Sequence, residues 1–494
     1  MTRRTNTANR TAPLRPEDEK LGIGASFAYG FQHVLTMYGG IIAVPLIIGQ
    51  ASGLASADVG LLIAACLFMG GLATLLQTIG VPFFGSQLPL VQGTSFAGVA
   101  TMLAILNGGG GIQSIFGAVI VASLIGLLIT PIFQRIIKFF PPVVTGTVIA
   151  VIGLTLMPTA AGWAMGGNPK APDFGSPANI GLAGLTLVIV LLLSKIGSGT
   201  ISRLSILLAM IIGTIVAVFM GKADFSKVGT GPIFAFPTPF HFGMPTFQAA
   251  GIISMIIVIL VTLVETSADI LAVSEIIGTK VDSRRLGNGL RADMISSAVA
   301  PVFGSFPQTA FAQNVGLVAI TGIKSRFAVT ASGVILLVLG LLPVMGRVVA
   351  AVPTAVLGGA GIVLFGTVAA SGIRTLSTVS YKNNMNLIIV ATSIGFGVIP
   401  IVQPTFYNQF PAWFSTIFDS GISSAAVMAI VLNLLFNHLK RGNPDNPSVF
   451  AAGTERRISL EVLGSLQHGD RCEEGKLIDA NGSEVPLLEP DPQH

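Results

Sequence analysis

The chain has 494 residues, 52% of them apolar and 10% charged, with a formal net charge of +5. An average soluble protein is roughly 25% charged, and no soluble core could cover this much apolar surface. The composition therefore excludes a soluble enzyme, points to an all-α polytopic membrane protein, and leaves the small positive excess to loops rather than to a nucleic-acid partner.

Residues 1–21 carry Arg3, Arg4, Arg10, Arg15 and Lys20 and read as a disordered cytoplasmic arm. The apolar stretch that follows is long enough to cross a bilayer, which argues against a cleaved signal peptide. At about 20 residues per crossing, the pattern predicts fourteen segments. They fall near 22–49, 56–80, 85–106, 112–138, 141–161, 177–196, 201–220, 246–277, 287–304, 308–322, 326–346, 353–370, 384–401 and 422–440. With the N-terminus inside, fourteen Lys and Arg residues between Arg135 and Arg441 fall in inside loops, against Lys170, Lys222, Lys227 and Arg347 outside. That bias predicts two cytoplasmic termini. The charged stretch 441–494 reads as a cytoplasmic tail, mostly disordered or weakly structured. Cys66 and Cys472 share no metal-ligand spacing, and no metal or cofactor is expected.

Seven segments precede the 221–245 loop and seven follow it, which is the arithmetic of an inverted repeat. The third segment of each half is unusual: GSQLPLVQGTSFAGVATM at 85–102 and FPQTAFAQNVGLVAITG at 306–322. Pro89 and Pro307 discourage a continuous helix there. Extended backbone leading into a half-helix is expected in each, with the two N-termini meeting near the midplane. Their free N–H groups and positive dipole ends suit an anionic or carbonyl-rich ligand.

The polar residues at membrane depth need a reason to be there. Glu265 and Asp269 are four apart and share a helix face. They read either as a helix-end pair reaching the interface or as a pair that binds substrate and carries a proton. Asp293 reads as a helix-terminal carboxylate facing Arg291 or as an interior acid close to Gln313. His33 is a packing residue or a hydrogen-bond partner of a site carboxylate. Gln313 donates and accepts in one plane, as the edge of a nucleobase or an amide requires. Gln92, Thr94 and Ser95 read as helix-breaking and capping groups. Phe96 either packs or stacks on a flat ring. The chain carries no P-loop, HExxH or nucleophile-elbow motif in a supporting context, so an enzyme is not expected.

QNVGLVAITG at 313–322 resembles the signature of the nucleobase–ascorbate transporter family, also called nucleobase:cation symporter-2, through Gln313, Asn314, Gly316, Thr321 and Gly322. QHVLTMY at 32–38, QGTSF at 92–96, ETSAD at 265–269 and Asp293 extend the resemblance over about 22–440. It implies fourteen segments in two inverted repeats of seven, with short strands in segments 3 and 10. A core domain would comprise 22–138 and 246–346, and a gate domain 139–245 and 347–440. It further implies a homodimer working by an elevator-like motion, driven by the proton gradient. Glu265 and Gln313 would hold a base, with contacts around Ser95, Phe96, Ala97 and Ala312. Asp269, Asp293, His33 and Asn314 would support proton coupling or site geometry. Uracil-type members have Glu where Gln313 stands, so a purine is expected. Xanthine-selective members tend to carry Asn at the position of Ala97, so urate, with or without xanthine, is the expected substrate. Val315 departs from the commoner second Asn of the signature.

Overall fold

The computed structural model describes residues 15–133, 140–197, 201–202, 204–226, 228–381, 384–439, 471–473, 476–478 and 484–485. The expected membrane-spanning region is almost wholly helical. It contains α1 (Ile23–Ala51), α2 (Ser56–Ile79), strand β1 (Gln92–Thr94), α3 (Val99–Asn107), α4 (Ile112–Ile129), α5 (Pro142–Ala164), α6 (Pro177–Ile196) and α7 (Ser205–Phe219). The second half contains α8 (Ala249–Ile277), α9 (Ser283–Val299), strand β2 (Gln308–Ala310), α10 (Ala312–Thr321), α11 (Arg326–Gly340), α12 (Pro343–Ala350), α13 (Thr354–Leu376), α14 (Asn384–Val402), α15 (Ala412–Phe418) and α16 (Gly421–Asn433).

Among the described residues, nine helices are long and apolar enough to cross a membrane, and ten crossings result if α11 and α12, bent by 79°, count as one. The chain is a multi-pass membrane protein, and the count of full apolar helices is lower than fourteen for identifiable reasons. Segments 3 and 10 are each a strand followed by a short helix, and α7 has only 15 residues. Segment 9 starts earlier than its apolar run. Asp282 Oδ1 accepts the Arg285 N–H at 2.7 Å and caps α9 at Ser283, so Arg284, Arg285, Arg291 and Asp293 all enter the helix.

The helices pack as two groups. In one, α2 lies along α11 and α12, α1 lies on α2 and α11, and α4 lies on α8 and α9. In the other, α5 lies along α13, which also meets α6, while α14 and α16 pack on each other and on α5. Small residues allow these close approaches, as membrane helices require. A Cβ on Gly71 of α2 would lie 2.6 Å from the Leu337 backbone nitrogen, and one on Gly372 of α13 would overlap the Ala150 backbone of α5.

The arm does not stay polar and free over its whole length. Pro16–Asp18 form a short 3-10 turn, with Pro16 fixing φ at its start. Fully buried Glu17 pairs with Arg285 at 2.6 Å, and Asp18 pairs with Arg326 and Arg15, each at 2.7 Å. Ser325 donates to the Glu19 carbonyl at 2.6 Å. Burial works to raise the Asp18 carboxyl, but the hydrogen bonds and charges of Arg15 and Arg326 outweigh it and hold it below its ordinary range. The disorder expected for 1–21 is therefore corrected at its C-terminal end, where two acids find arginines from the first turns of α9 and α11. Residues 1–14 lie outside the described residues. So does most of the 441–494 tail, of which Arg471–Glu473, Lys476–Ile478 and Glu484–Val485 form a three-stranded antiparallel sheet.

Candidate substrate site

Strands β1 and β2 pair antiparallel, with Gln92 opposite Ala310, Gly93 opposite Thr309 and Thr94 opposite Gln308. The ladder continues through Ser95 N–H to the Pro307 carbonyl at 2.8 Å and Phe311 N–H to the Val91 carbonyl at 3.0 Å. A two-stranded sheet leaves outer backbone groups unpaired, which is costly away from water. Each strand solves this with one hydroxyl from a neighbouring helix. Thr74 of α2 accepts from the Gln92 N–H at 2.9 Å and donates to its carbonyl at 3.3 Å. Ser297 of α9 accepts from the Gln308 N–H at 2.8 Å and donates to its carbonyl at 3.3 Å.

Beside this sheet lies a cavity of about 290 Å³. Phe96 and Ala97, Glu265 and Asp269, and Ala312 and Gln313 line it from the first helix group. Ile149 and Ile152 of α5, with Thr367, Ser371 and Thr375 of α13, line it from the second. The cavity therefore sits where the two groups meet. Glu265 and Gln313, the two residues on which the sequence reading most depends, share it. Gln313 follows the start of α10, where the first N–H groups lack intrahelical acceptors. No Lys or Arg is found among the described residues lining the cavity.

The Phe96 ring lines the cavity and meets Phe365 edge-on, with centroids 6.0 Å apart. Ser95 is fully buried, is not among the cavity-lining residues, and caps the turn that follows: its hydroxyl accepts the Ala97 N–H at 3.2 Å.

Asp293 is 1% exposed and does not reach toward Arg291, which instead donates to Asn288 Oδ1 at 2.8 Å. The Thr266 hydroxyl donates to Asp293 Oδ2, while Asp293 Oδ1 is buried without a partner. His33 does not bond a carboxylate. The Asn314 amide donates to the His33 carbonyl at 3.0 Å and lies 3.0 Å from His33 Nδ1, tying α10 to α1. His33, Asp293 and Asn314 thus stand behind the cavity wall, whereas Asp269 is in it with Oδ2 unpartnered.

Three residues escaped the sequence reading. Thr309 lines the cavity with Glu265, and its hydroxyl lies 3.2 Å from that of Thr266. Gln308 is fully buried and donates to the Phe306 carbonyl at 2.7 Å, bracing the turn before β2. The QTA triplet at 308–310 lay beside the signature, but nothing in its composition distinguished threonines that bridge acids from threonines that pack.

A sequence profile described as the Permease family matches residues 24–406. The uric acid transporter UacT of Escherichia coli is 40% identical over 435 residues, covering 87% of this chain and 90% of that protein. The xanthine permease of Bacillus subtilis is 41% identical, covering 84% and 94%, and its uric acid permease PucJ is 40% identical, covering 83% and 92%. Among solved structures, the transmembrane domain of the cyanobacterial bicarbonate transporter BicA matches with a TM-score of 0.54 at 14% identity, covering 85% of this chain and 100% of that one. The structure of SLC26A9 matches with a TM-score of 0.56 at 14% identity, covering 84% and 67%. These two structures speak for the fold alone.

Proposed function

The chain belongs to the permease family, the nucleobase–ascorbate transporter family named from its motifs, and on that premise we propose that it is a proton-coupled importer of urate, xanthine or both. It is a transporter, not an enzyme. The observation that carries the choice of a purine is the pairing of Glu265 and Gln313 in one cavity of about 290 Å³. A carboxylate accepts from ring N–H groups, and a primary amide fixes a carbonyl and an N–H on another edge. Ala97 leaves space where a larger side chain would crowd an oxidised purine.

The reading extends to mechanism. Segments 1–4 and 8–11 act as a core that carries the base past a gate of segments 5–7 and 12–14, in an inverted repeat of fourteen segments. The separate packing of two helix groups, with the cavity between them, supports this, as do the matching hydroxyl clamps on β1 and β2. The cavity runs along α13 from Thr367 to Thr375, toward the C-terminal ends of α8 and α13. The distribution of Lys and Arg favours the cytoplasm for that side and for both termini, which supports reading this as an inward-facing state in the cytoplasmic membrane. Helices α6 and α14 are the least covered of the spanning helices, which favours a homodimer. One proton moving down 100 mV supplies about 2.3 kcal/mol, enough for roughly fifty-fold accumulation of a neutral substrate.

An anion exchanger is the rival on the same fold. Two carboxylates line the cavity and no basic residue does so among the described residues, which tells against the exchanger. Competition of labelled urate and xanthine uptake by a panel of bases tests the assignment. Oxidised purines are expected to compete, and a protonophore to abolish accumulation. Competition by uracil or ascorbate alone removes the purine, and uptake indifferent to the protonophore removes the symport.

A further inference from the structure

We propose that Thr266 and Thr309 form a two-hydroxyl relay through which Glu265 and Asp293 share a single proton, an inference that rests on the proton-coupled reading above. Two links are in place, Asp293 Oδ2 to Thr266 Oγ1 and Thr266 Oγ1 to Thr309 Oγ1 at 3.2 Å, and Thr309 lines the same cavity as the Glu265 carboxyl, the third link of the relay. All four residues surround β2, whose Ala310 N–H donates to the remaining side of Thr266 Oγ1 at 3.3 Å.

A count of hydrogens decides how the chain operates. Three links need three hydrogens, and each hydroxyl brings one. The third must come from a carboxyl. With the proton on Glu265, Glu265 donates to Thr309, Thr309 to Thr266 and Thr266 to Asp293. With the proton on Asp293, every link reverses and Glu265 is ionised. If both acids are ionised, the two threonine oxygens face each other with no hydrogen between them. If both are protonated, one hydroxyl hydrogen has no acceptor in the chain. Thr266 and Asp293 are both buried. The other acid nearby is Asp269, one turn along α8; His33, from α1, is engaged with Asn314.

The consequence is directional. Ring N–H groups arriving in the cavity favour ionised Glu265. Its proton passes to Thr309 Oγ1, that of Thr309 to Thr266 Oγ1, and that of Thr266 to Asp293 Oδ2. No proton is lost to solution, so base and proton stay together in the site. Thr266 and Thr309 are positioning residues that set where the proton waits.

Infrared difference spectra of the purified protein in lipid nanodiscs, taken on adding xanthine, test this. Wild type is expected to lose one protonated-carboxyl band that is absent in Glu265→Gln and to gain one that is absent in Asp293→Asn. Loss without the gain overturns the relay. In proteoliposomes, Thr266→Val is expected to lower protonophore-sensitive accumulation at least tenfold relative to xanthine exchange, with Thr266→Ser restoring it. Accumulation by Thr266→Val at the wild-type ratio also overturns it. Should Thr266→Val not assemble, the wild-type spectra decide alone. Spectra showing the transfer in a protein whose uptake ignores protonophores refute the symport while leaving the relay intact.

Discussion

The two interrupted segments are built alike and equipped differently. Each has a three-residue strand, one hydroxyl clamp and a following short helix: Thr74 on Gln92 before α3, Ser297 on Gln308 before α10. The difference lies in what surrounds the strands. Thr94 of β1 donates to the Ile41 carbonyl at 3.1 Å, and a Cβ on Gly93 would crowd Met37 and Ile41. Around β2 stand Glu265, Asp269 and Asp293. A symmetric scaffold thus carries an asymmetric site, in which the first half supplies shape and the second supplies charge.

The sharpest way to break this comparison is to remove charge on the second side. Glu265→Gln is expected to lower xanthine or urate uptake about a hundredfold, since hydrogen bonds to a charged group are worth about 1.5–3 kcal/mol. Uptake assays with expression checked by size-exclusion chromatography measure it. Gln313→Ala is expected to weaken equilibrium purine binding about thirtyfold, from two neutral hydrogen bonds of about 1 kcal/mol each. The scaffold should respond symmetrically. Thr74→Val and Ser297→Ala each strand a buried N–H and are expected to cost about 1–2 kcal/mol, seen as similar drops in thermal midpoint. Ala97→Asn is the test on the shape-giving side. It is expected to shift the urate-to-xanthine preference toward xanthine by about fivefold, on the order of 1 kcal/mol, read from competition curves; an unchanged ratio removes the argument for urate.

The smallest expected effect lies outside the site. The Asp18 carboxyl is held below its unfolded value of 3.8 by Arg15 and Arg326 against the cost of burial. Its contribution to stability is therefore present above about pH 4 and is lost as pH falls through the folded value. Asp18→Asn is expected to lower the thermal midpoint slightly at pH 7, with the difference from wild type shrinking as pH falls through the folded value.

The sequence made much of this legible because lipid punishes polarity. Pro89, Pro307, Gln313 and Glu265 stood out as polar or helix-breaking residues in apolar runs, and Glu265 and Gln313 share one cavity. Hydroxyls were not legible in the same way. A threonine in a membrane helix usually satisfies itself on its own backbone, as Thr78 does on Thr74, so nothing marked Thr266 and Thr309 as bridging residues. The ends of segments were also obscured. Hydropathy could not separate α9 from a later apolar start, because its first turns carry arginines, of which Arg285 is engaged by Ser86, Gln87 and Glu17. The same arginines explain why the last residues of the arm dock instead of remaining free.

A structure of the protein with xanthine bound tests the central claim most directly. The account predicts the base in the cavity between the two helix groups, its ring N–H groups on the Glu265 carboxylate and another edge on the Gln313 amide. A base seated elsewhere, or one contacting neither side chain, contradicts it.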